Sequence, residues 1–184
     1  MKSDYLPRVD IRDMEVKPAL CLDFDGTIRY SKTGKFINKP EDIALYDDVE
    51  AVIWDHRNRG YLIFGISNQG GVAFNIKTPQ QEMTEMDTTL ALFRNNPFHL
   101  VKTCWHHEGG KNPAFAHRSL FRKPDIGMLA MCEFEAFNAG LIVDWPHSLL
   151  VGDRPEDEEC AKRAGIDFCF ADVFFGRVTL ADQK

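Results

Sequence analysis

The feature of this sequence that most constrains its fold is the alternation of short apolar runs with segments of helical period. The runs have the length of β-strands, and several are apolar on both faces, as strands covered by helices on both sides tend to be. They are Ala19–Phe24, Tyr61–Ser67, His99–Trp105, Ser148–Asp153 and Ile166–Ala171. This order predicts an α/β fold in which a Rossmann-like, mainly parallel sheet is sandwiched by helices.

Four segments between and after these runs predict helices. They cover residues 46–60, a stretch that follows the Thr78-Pro79 pair, residues 123–140 and residues 155–165. The first two show apolar side chains at helical spacing, and glycines or prolines mark several of the predicted ends. A chain of 184 residues has the usual size of one domain, so we expect a single domain over residues 1–184 with its core at about 19–171.

The composition narrows the class of protein. No segment approaches the apolar length that a membrane span requires, and the first 18 residues lack the apolar core of a secretory signal. The five cysteines are an odd number and lie mostly in apolar runs, which favours reduced thiols. We therefore expect a cytoplasmic monomer without a membrane partner. The net charge of -6 offers no general attraction to nucleic acid, although a local basic patch remains compatible with it.

Two carboxylates end the first apolar run, in the stretch CLDFDGTIRY. Asp23 and Asp25 lie two residues apart and are followed at once by Gly26 and Thr27. Like charges this close repel each other, and burying either one unpaired is costly. The pair therefore requires a cation, a proton or a strongly polar ligand.

Further polar residues follow the other predicted strands. The second run leads into SNQGG, which begins at Ser67, and the fourth leads into GDRPED, with Asp153 and Asp157. Lys123, in FRKPDIGM, is predicted to open a helix on the same side of the sheet. Each motif alone is a common turn or helix start. Ligands of parallel α/β sheets bind beyond the carboxyl ends of the strands, so the motifs together predict one site.

The stretches DFDGT, SNQGG, RKPDIGML and VGDRPEDEECAKRAG together resemble the haloacid dehalogenase superfamily of phosphohydrolases, over Ala19 to Ala171. Within it they look most like heptose-bisphosphate phosphatases, histidinol phosphatases and the phosphatase domain of polynucleotide kinase 3'-phosphatases. Many relatives carry a large inserted cap domain, whereas residues 27–47 of this chain have room only for a flap. The resemblance thus implies a capless phosphatase with an open site.

The resemblance also implies the chemistry of the acidic residues. Asp23 would attack phosphorus and form an aspartyl-phosphate, and Asp25 would act as general acid and then as general base. Mg²⁺ would be held by Asp23, the backbone carbonyl of Asp25 and Asp153. Asp157 would orient Lys123 or a metal-bound water.

Substrate binding is expected from a second set of residues. Ser67, the backbone around Asn68, and Lys123 would bind the phosphoryl group. Arg122 is the best candidate contact to the rest of the substrate, because arginine can grip phosphate with two bonds. Three basic flap residues either bind a second anionic group or are ordinary surface charges: Arg29, Lys32 and Lys35.

The loop CWHHEGGKNPAFAHRSLFRKP is the most ambiguous region. In heptose-bisphosphate phosphatases it carries a structural zinc site made of a Cys-x-His pair and a Cys-x-Cys pair. Cys104 and His106 match the first pair, but a serine and Phe121 stand in the second. A closed zinc site needs four ligands, so His107 and His117 would have to substitute. Structural zinc is therefore not expected, and Phe121 is predicted to fill the space of the metal.

Three functions remain open at this point. The first is a magnesium-dependent phosphomonoesterase acting on a small phosphorylated metabolite such as a sugar phosphate. The second is a nucleic-acid 3'-phosphatase, favoured by the RKPDIGM likeness and the open site and opposed by the acidic net charge. The third is a non-catalytic module that kept the fold, since fold alone does not prove function. The presence of every residue that the chemistry demands disfavours it.

Overall fold

The computed structural model describes residues 11–34 and 36–177 of the chain. Its strands are β1 (Glu15–Lys17), β2 (Ala19–Leu22), β3 (Arg29–Ser31), β4 (Ile43–Leu45), β5 (Leu62–Asn68), β6 (Leu100–Cys104), β7 (Leu141–Val143), β8 (Leu149–Gly152) and β9 (Asp167–Phe170). Its α-helices are α1 (Val49–Asn58), α2 (Pro79–Ala91), α3 (Gly127–Asn138), α4 (Pro155–Ala164) and α5 (Ala171–Phe174). In this part of the chain no helix is both long enough and apolar enough to cross a bilayer.

The central sheet has five strands in the order β6-β5-β2-β8-β9. All four pairings in it are parallel. Strand β2 comes first of these five in the chain, and it lies in the middle of the sheet, with β5 on one side and β8 on the other. Because these three strands are neighbours and point the same way, their carboxyl ends meet at one edge of the sheet. This topology confirms the predicted mainly parallel α/β fold.

The side chains of β2 alternate between two hydrophobic cores, one on each face of the sheet. Ala19 and Cys21 pack into a cluster with residues of α3 and α4. Leu20 and Leu22 pack on the other face with residues of α1 and α2. All four side chains are fully buried, as expected for a central strand with helices on both sides. The sheet is therefore sandwiched, and β2 is fixed in place from both faces.

The chain between β2 and α1 forms a short flap at the site edge of the sheet. Its strands β3 and β4 pair antiparallel. Buried Asp42 closes the hairpin, because its carboxylate accepts hydrogen bonds from Ser31 Oγ at 2.5 Å and from the Thr33 backbone N–H at 2.9 Å. Between β5 and β6 the chain holds only a loop and α2. The described residues thus contain no large cap domain, as predicted.

Two local predictions need correction. Helix α3 begins at Gly127, not at Lys123. The Asn68 side chain explains this, because its Oδ1 accepts the Lys123 N–H and its Nδ2 donates to the Lys123 carbonyl, both at 3.0 Å. The small β1–β7 pairing was also missed. Strands of only three residues carry too short a pattern to be recognised.

Candidate active site

Lys123 lies buried between two carboxylates at the carboxyl edge of the sheet. Its Nζ is 2.5 Å from Asp23 Oδ1 and 2.7 Å from Asp157 Oδ1, and it donates to the Ile66 carbonyl at 2.9 Å. Burial by itself lowers the pKa of Lys123, but the two carboxylates outweigh it and hold the pKa above its ordinary value. The ammonium group therefore stays charged, and it lies beside the predicted nucleophile.

Asp153 completes an acidic cluster with Asp23 and Asp157. Each offers one oxygen, and these oxygens lie within 4.8 Å of one another; no other group of three metal-ligating side chains is this compact among the described residues. Burial raises the pKa of Asp23 and of Asp153, and the Asp157 charge raises both further; Lys123 lowers that of Asp23, and Arg154 is the main group that lowers that of Asp153. Three carboxylates thus face two cations, Lys123 and Arg154. This all-oxygen donor set, with net negative charge, fits Mg²⁺.

Two glycines leave room for the acidic cluster. A Cβ on Gly26 would lie 2.3 Å from Asp153 Oδ2, and one on Gly152 would lie 2.4 Å from Asp157 Oδ2. Gly26 also has a φ of +86°, in the left-handed region that side chains disfavour. The Asp-Gly sequence after β2 is therefore required by both backbone conformation and space.

Asp25 is held from two sides. Arg29 Nε donates to Asp25 Oδ1 at 2.7 Å, and Gln69 Nε2 donates to Asp25 Oδ2 at 2.6 Å. Burial raises the pKa of Asp25, but the Arg29 charge and these hydrogen bonds outweigh it and leave the pKa below its usual value. The Asp25 carboxylate is therefore an ionised group with a defined orientation.

The predictions for the flap cations were partly wrong. Arg29 is 1% exposed and pairs with Asp25, so it is not an ordinary surface charge, and its contact to a second anionic group stays a prediction. Exposed Lys32 donates to the Glu41 carbonyl within the flap at 3.0 Å. Lys35 lies outside the described residues. The tight turn after β2 explains the position of Arg29, because its backbone N–H bonds back to the Phe24 carbonyl at 3.0 Å.

The predicted phosphate-binding residues surround a small pocket of about 30 Å³. Buried Ser67 lines it, and its Oγ accepts a hydrogen bond from Gln69 Nε2 at 2.9 Å. Asn68 lines it too, but its side-chain amide is bonded to the backbone of Lys123. The Asn68 side chain therefore positions Lys123, and a phosphate contact by Asn68 remains a prediction.

A larger cleft of about 1320 Å³ adjoins this pocket and shares Asp25 with it. Its lining includes aromatic flap residues as well as Arg122 and Arg154. The half-buried Arg122 donates from Nη1 to the His106 carbonyl at 3.2 Å. A contact between Arg122 and the substrate stays a prediction.

The loop that carries zinc in the resembling group has a partial ligand set here. Cys104 Sγ lies 3.8 Å from His106 Nδ1, and the His106 and His117 rings are 4.6 Å apart. Within residues 11–34 and 36–177, these side chains do not bring three ligand atoms within 4.8 Å of one another. The prediction for Phe121 was wrong, because its side chain is 39% exposed and does not fill a buried metal position.

Three residues at this site were not recognised from the sequence. Gln69 follows Asn68 within SNQGG, so the motif itself could have indicated it. Arg29 was named as a flap cation, but its pairing with Asp25 was not predicted, because the i,i+4 rule applies to helices and Arg29 lies on β3. Thr89 accepts a hydrogen bond from Arg29 Nη1 at 2.6 Å, across 60 positions of sequence. No local pattern indicates a contact of that separation.

Comparison with known proteins gives the family. The family model described as polynucleotide kinase 3 phosphatase matches residues 19–180. D-glycero-D-manno-heptose-1,7-bisphosphate 7-phosphatase of Chlorobaculum tepidum is 31% identical over 172 residues, which cover 92% of this chain and 86% of that protein. The D-glycero-beta-D-manno-heptose-1,7-bisphosphate 7-phosphatase of Rhodopseudomonas palustris is 29% identical and covers 91% of this chain and 93% of its own.

Solved structures agree with this assignment. A HAD-like phosphatase from Mesorhizobium loti superposes with a TM-score of 0.70 at 29% identity, over 83% of this chain and 70% of that one. The D,D-heptose 1,7-bisphosphate phosphatase of B. bronchiseptica, solved with magnesium and phosphate, shares the fold with a TM-score of 0.65 at 22% identity, over 92% and 87% of the two chains. The chain is a phosphatase of the haloacid dehalogenase superfamily and belongs to the polynucleotide kinase 3 phosphatase family.

Proposed function

We propose that the protein is a magnesium-dependent phosphomonoester hydrolase that works through an aspartyl-phosphate intermediate and acts on a sugar phosphate. The single observation that carries the proposal is the convergence of Asp23, Lys123 and two further carboxylates, Asp153 and Asp157, at one edge of the sheet. An anionic nucleophile can approach an anionic ester only where positive charge lies beside both.

The reaction follows from the positions of Asp23 and Asp25. A carboxylate oxygen of Asp23 forms a bond to phosphorus while the bond from phosphorus to the ester oxygen breaks. Asp25, which is ionised in the free site, takes up a proton from solvent before this step and gives it to that departing oxygen, which leaves as an alcohol. Asp25 then takes a proton from a water molecule that attacks the aspartyl-phosphate. Inorganic phosphate and free Asp23 are the products, and Asp25 again holds its proton.

The remaining residues bind and orient the phosphoryl group. Lys123 places a fixed positive charge beside Asp23, and Ser67 can donate its hydroxyl to a phosphoryl oxygen. Asp23, Asp153 and the Asp25 backbone carbonyl would hold Mg²⁺, with Asp157 close by. When bound, the ion supplies positive charge that neutralises the phosphoryl oxygens. The B. bronchiseptica phosphatase, which shares the fold, was solved with magnesium and phosphate, and this supports the choice of Mg²⁺.

Removal of divalent ions tests the metal requirement. Chelation with EDTA is expected to lower turnover of 4-nitrophenyl phosphate by at least about 100-fold, and added Mg²⁺ should restore it. Mg²⁺ should also raise the unfolding temperature, because an ion that binds only the native state stabilises it. Full activity after exhaustive chelation would contradict the proposed cation, and calorimetric unfolding gives a readout independent of turnover.

Gly26→Ala tests the space for Asp153. The added methyl group would push the Asp153 carboxylate away, so the Mg²⁺ concentration for half-maximal activity is expected to rise about 10-fold. Gly60→Ala is the matched control, because Gly60 has a similar φ of +92° and nothing within 4 Å of its Cβ position. Both variants carry the same backbone strain. Only the first should change the Mg²⁺ requirement; equal effects would contradict the steric account.

The sugar-phosphate assignment rests on the heptose-bisphosphate relatives and on an open cleft of about 1320 Å³ beside the phosphate pocket. A screen of purified protein against sugar phosphates, histidinol phosphate and nucleotides tests it. Highest kcat/KM for a sugar phosphate is the expected result. A strong preference for another class would overturn the substrate assignment and leave the hydrolase assignment intact.

A nucleic-acid 3'-phosphatase is the second candidate, and the match to the polynucleotide kinase 3 phosphatase family favours it. The net charge of -6 opposes it. Activity on a 3'-phosphorylated oligonucleotide that falls steeply with salt would indicate contacts to the phosphate backbone. Hydrolysis of a monosaccharide phosphate should show little salt dependence.

A further inference from the structure

We infer that Arg29 is a positioning residue for leaving-group protonation: through its ion pair it holds the Asp25 carboxylate in the orientation that proton transfer requires. The inference rests on the proposed function, because it concerns the step in which Asp25 gives a proton to the departing oxygen. It goes beyond that function in assigning a role to a residue whose place in the flap sequence had suggested surface charge or substrate contact.

The guanidinium of Arg29 is fixed on three sides. Nε lies 2.7 Å from Asp25 Oδ1, and Nη2 lies 3.4 Å from Asp25 Oδ2, so it faces the carboxylate edge-on. Nη1 donates to Thr89 Oγ1 at 2.6 Å, and that hydroxyl in turn donates to the Glu85 carbonyl of α2 at 2.8 Å. The Phe24 ring lies 5.6 Å from the guanidinium carbon. Arg29 therefore connects Asp25 to the rigid body of α2.

The burial of the pair is asymmetric. The Arg29 side chain is 1% exposed, whereas that of Asp25 is 38% exposed and lines both the phosphate pocket and the larger cleft. A purely structural ion pair that anchors α2 has no need of a carboxylate that reaches the cleft. Both residues line the larger cleft, but only the Asp25 carboxylate is substantially exposed to it.

The second oxygen of Asp25 has its own support. Gln69 Nε2 donates to Asp25 Oδ2 at 2.6 Å. A carboxylate can accept about four hydrogen bonds. Arg29 and Gln69 therefore fix the rotation of the Asp25 carboxylate and still leave an acceptor position free for the proton. General acid catalysis depends on the alignment of donor and acceptor, and a small misplacement lowers the rate strongly. Arg29 supplies the larger part of this alignment because it contacts both oxygens.

The basicity of the leaving group distinguishes this positioning role from a purely structural one. An alkoxide from a sugar phosphate is strongly basic and needs a proton as it departs, whereas 4-nitrophenolate departs readily without one. Loss of Asp25 alignment should therefore impair alkyl esters far more than the aryl ester. The kcat/KM value is the relevant quantity, because it covers the steps up to departure of the leaving group and excludes hydrolysis of the aspartyl-phosphate.

Arg29→Lys is the principal test, because it keeps the charge and loses the planar fork. With the best sugar phosphate from the screen, kcat/KM is expected to fall about 100-fold. With 4-nitrophenyl phosphate it should fall no more than about threefold. Lys102→Gln is the control, since it removes a partly exposed ion pair to Glu135, with atoms 2.7 Å apart, and lines neither pocket. It should leave both kcat/KM values within about twofold.

Thr89→Val keeps the inference testable if Arg29→Lys does not fold, as judged by circular dichroism. It keeps the Arg29–Asp25 pair but releases Nη1 from α2, so a loss of about fivefold on the sugar phosphate alone is expected. Equal losses on both esters, or no loss on either, would overturn the inference and leave the proposed function standing. A wild-type protein that hydrolyses neither ester would instead overturn the proposed function, and the inference with it.

Discussion

Asp23→Asn is expected to lower kcat on any phosphomonoester by roughly 10⁴-fold or more, because the amide cannot attack phosphorus. The fold should survive. Asp23 lies at the end of a fully buried strand, and Asn has the same shape. Lys123 keeps Asp157 as a partner 2.7 Å away, so its charge is not left buried alone. Initial rates with 4-nitrophenyl phosphate, together with thermal unfolding of the same sample, measure both expectations.

Asp47→Asn is the matched control for this substitution, because it makes the same chemical change at an exposed position before α1. It should leave the rate within about twofold of wild type. An Asp23→Asn protein that is folded and retains a tenth of the activity would exclude Asp23 as the nucleophile. Loss of activity together with loss of folding would not count as support, so the unfolding curve is part of the result.

The sequence allowed the central sheet and the site edge to be predicted for a simple physical reason. Strands such as β2 and β5 are apolar on both faces, and the polar residues that interrupt this pattern fall where each strand ends. Parallel strands bring those ends together regardless of the loops between them. Asp23, Ser67 and Asp153 could therefore be placed near one another before any coordinates were known.

What could not be predicted depends on contacts across long sequence separations. The hydrogen bond from Arg29 to Thr89 spans 60 positions, and the two bonds between Asn68 and the Lys123 backbone span 55. The second contact also explains why α3 begins at Gly127, because the backbone N–H and carbonyl of Lys123 bond to the Asn68 side chain and not within a helix. Propensity and periodicity are local, so they carry no information on such pairings.

The same limit applies to the charge state of the site. The sequence shows that Asp23 and Asp25 lie close enough to repel each other, but not which cation each one pairs with. In the fold the two carboxylates have different partners: Asp23 pairs with Lys123, and Asp25 pairs with Arg29. Each carboxylate thus has its own buried cation, and the two can serve different steps of one reaction.

Lys123→Met is expected to lower both stability and activity, since it removes the cation that lies between Asp23 and Asp157. Lys123 is 3% exposed, and breaking a buried ion pair by removing one partner lowers the free energy of unfolding by about 3–5 kcal/mol. The loss of a fixed charge beside the phosphoryl group should lower kcat by about 10²- to 10³-fold. Urea unfolding in EDTA measures the first effect without interference from bound metal.

A double variant separates the two effects of Lys123. In Lys123→Met/Asp157→Asn one of the two unpaired carboxylates is removed, so part of the stability should return, about 1–2 kcal/mol. Activity should not return, because the missing charge beside the phosphoryl group is not replaced. Recovery of activity in the double variant would mean that Lys123 only neutralises Asp157. Recovery of stability alone would mean that the ammonium group has two separate effects. It offsets the repulsion between Asp23 and Asp157, and it stabilises the reacting phosphate.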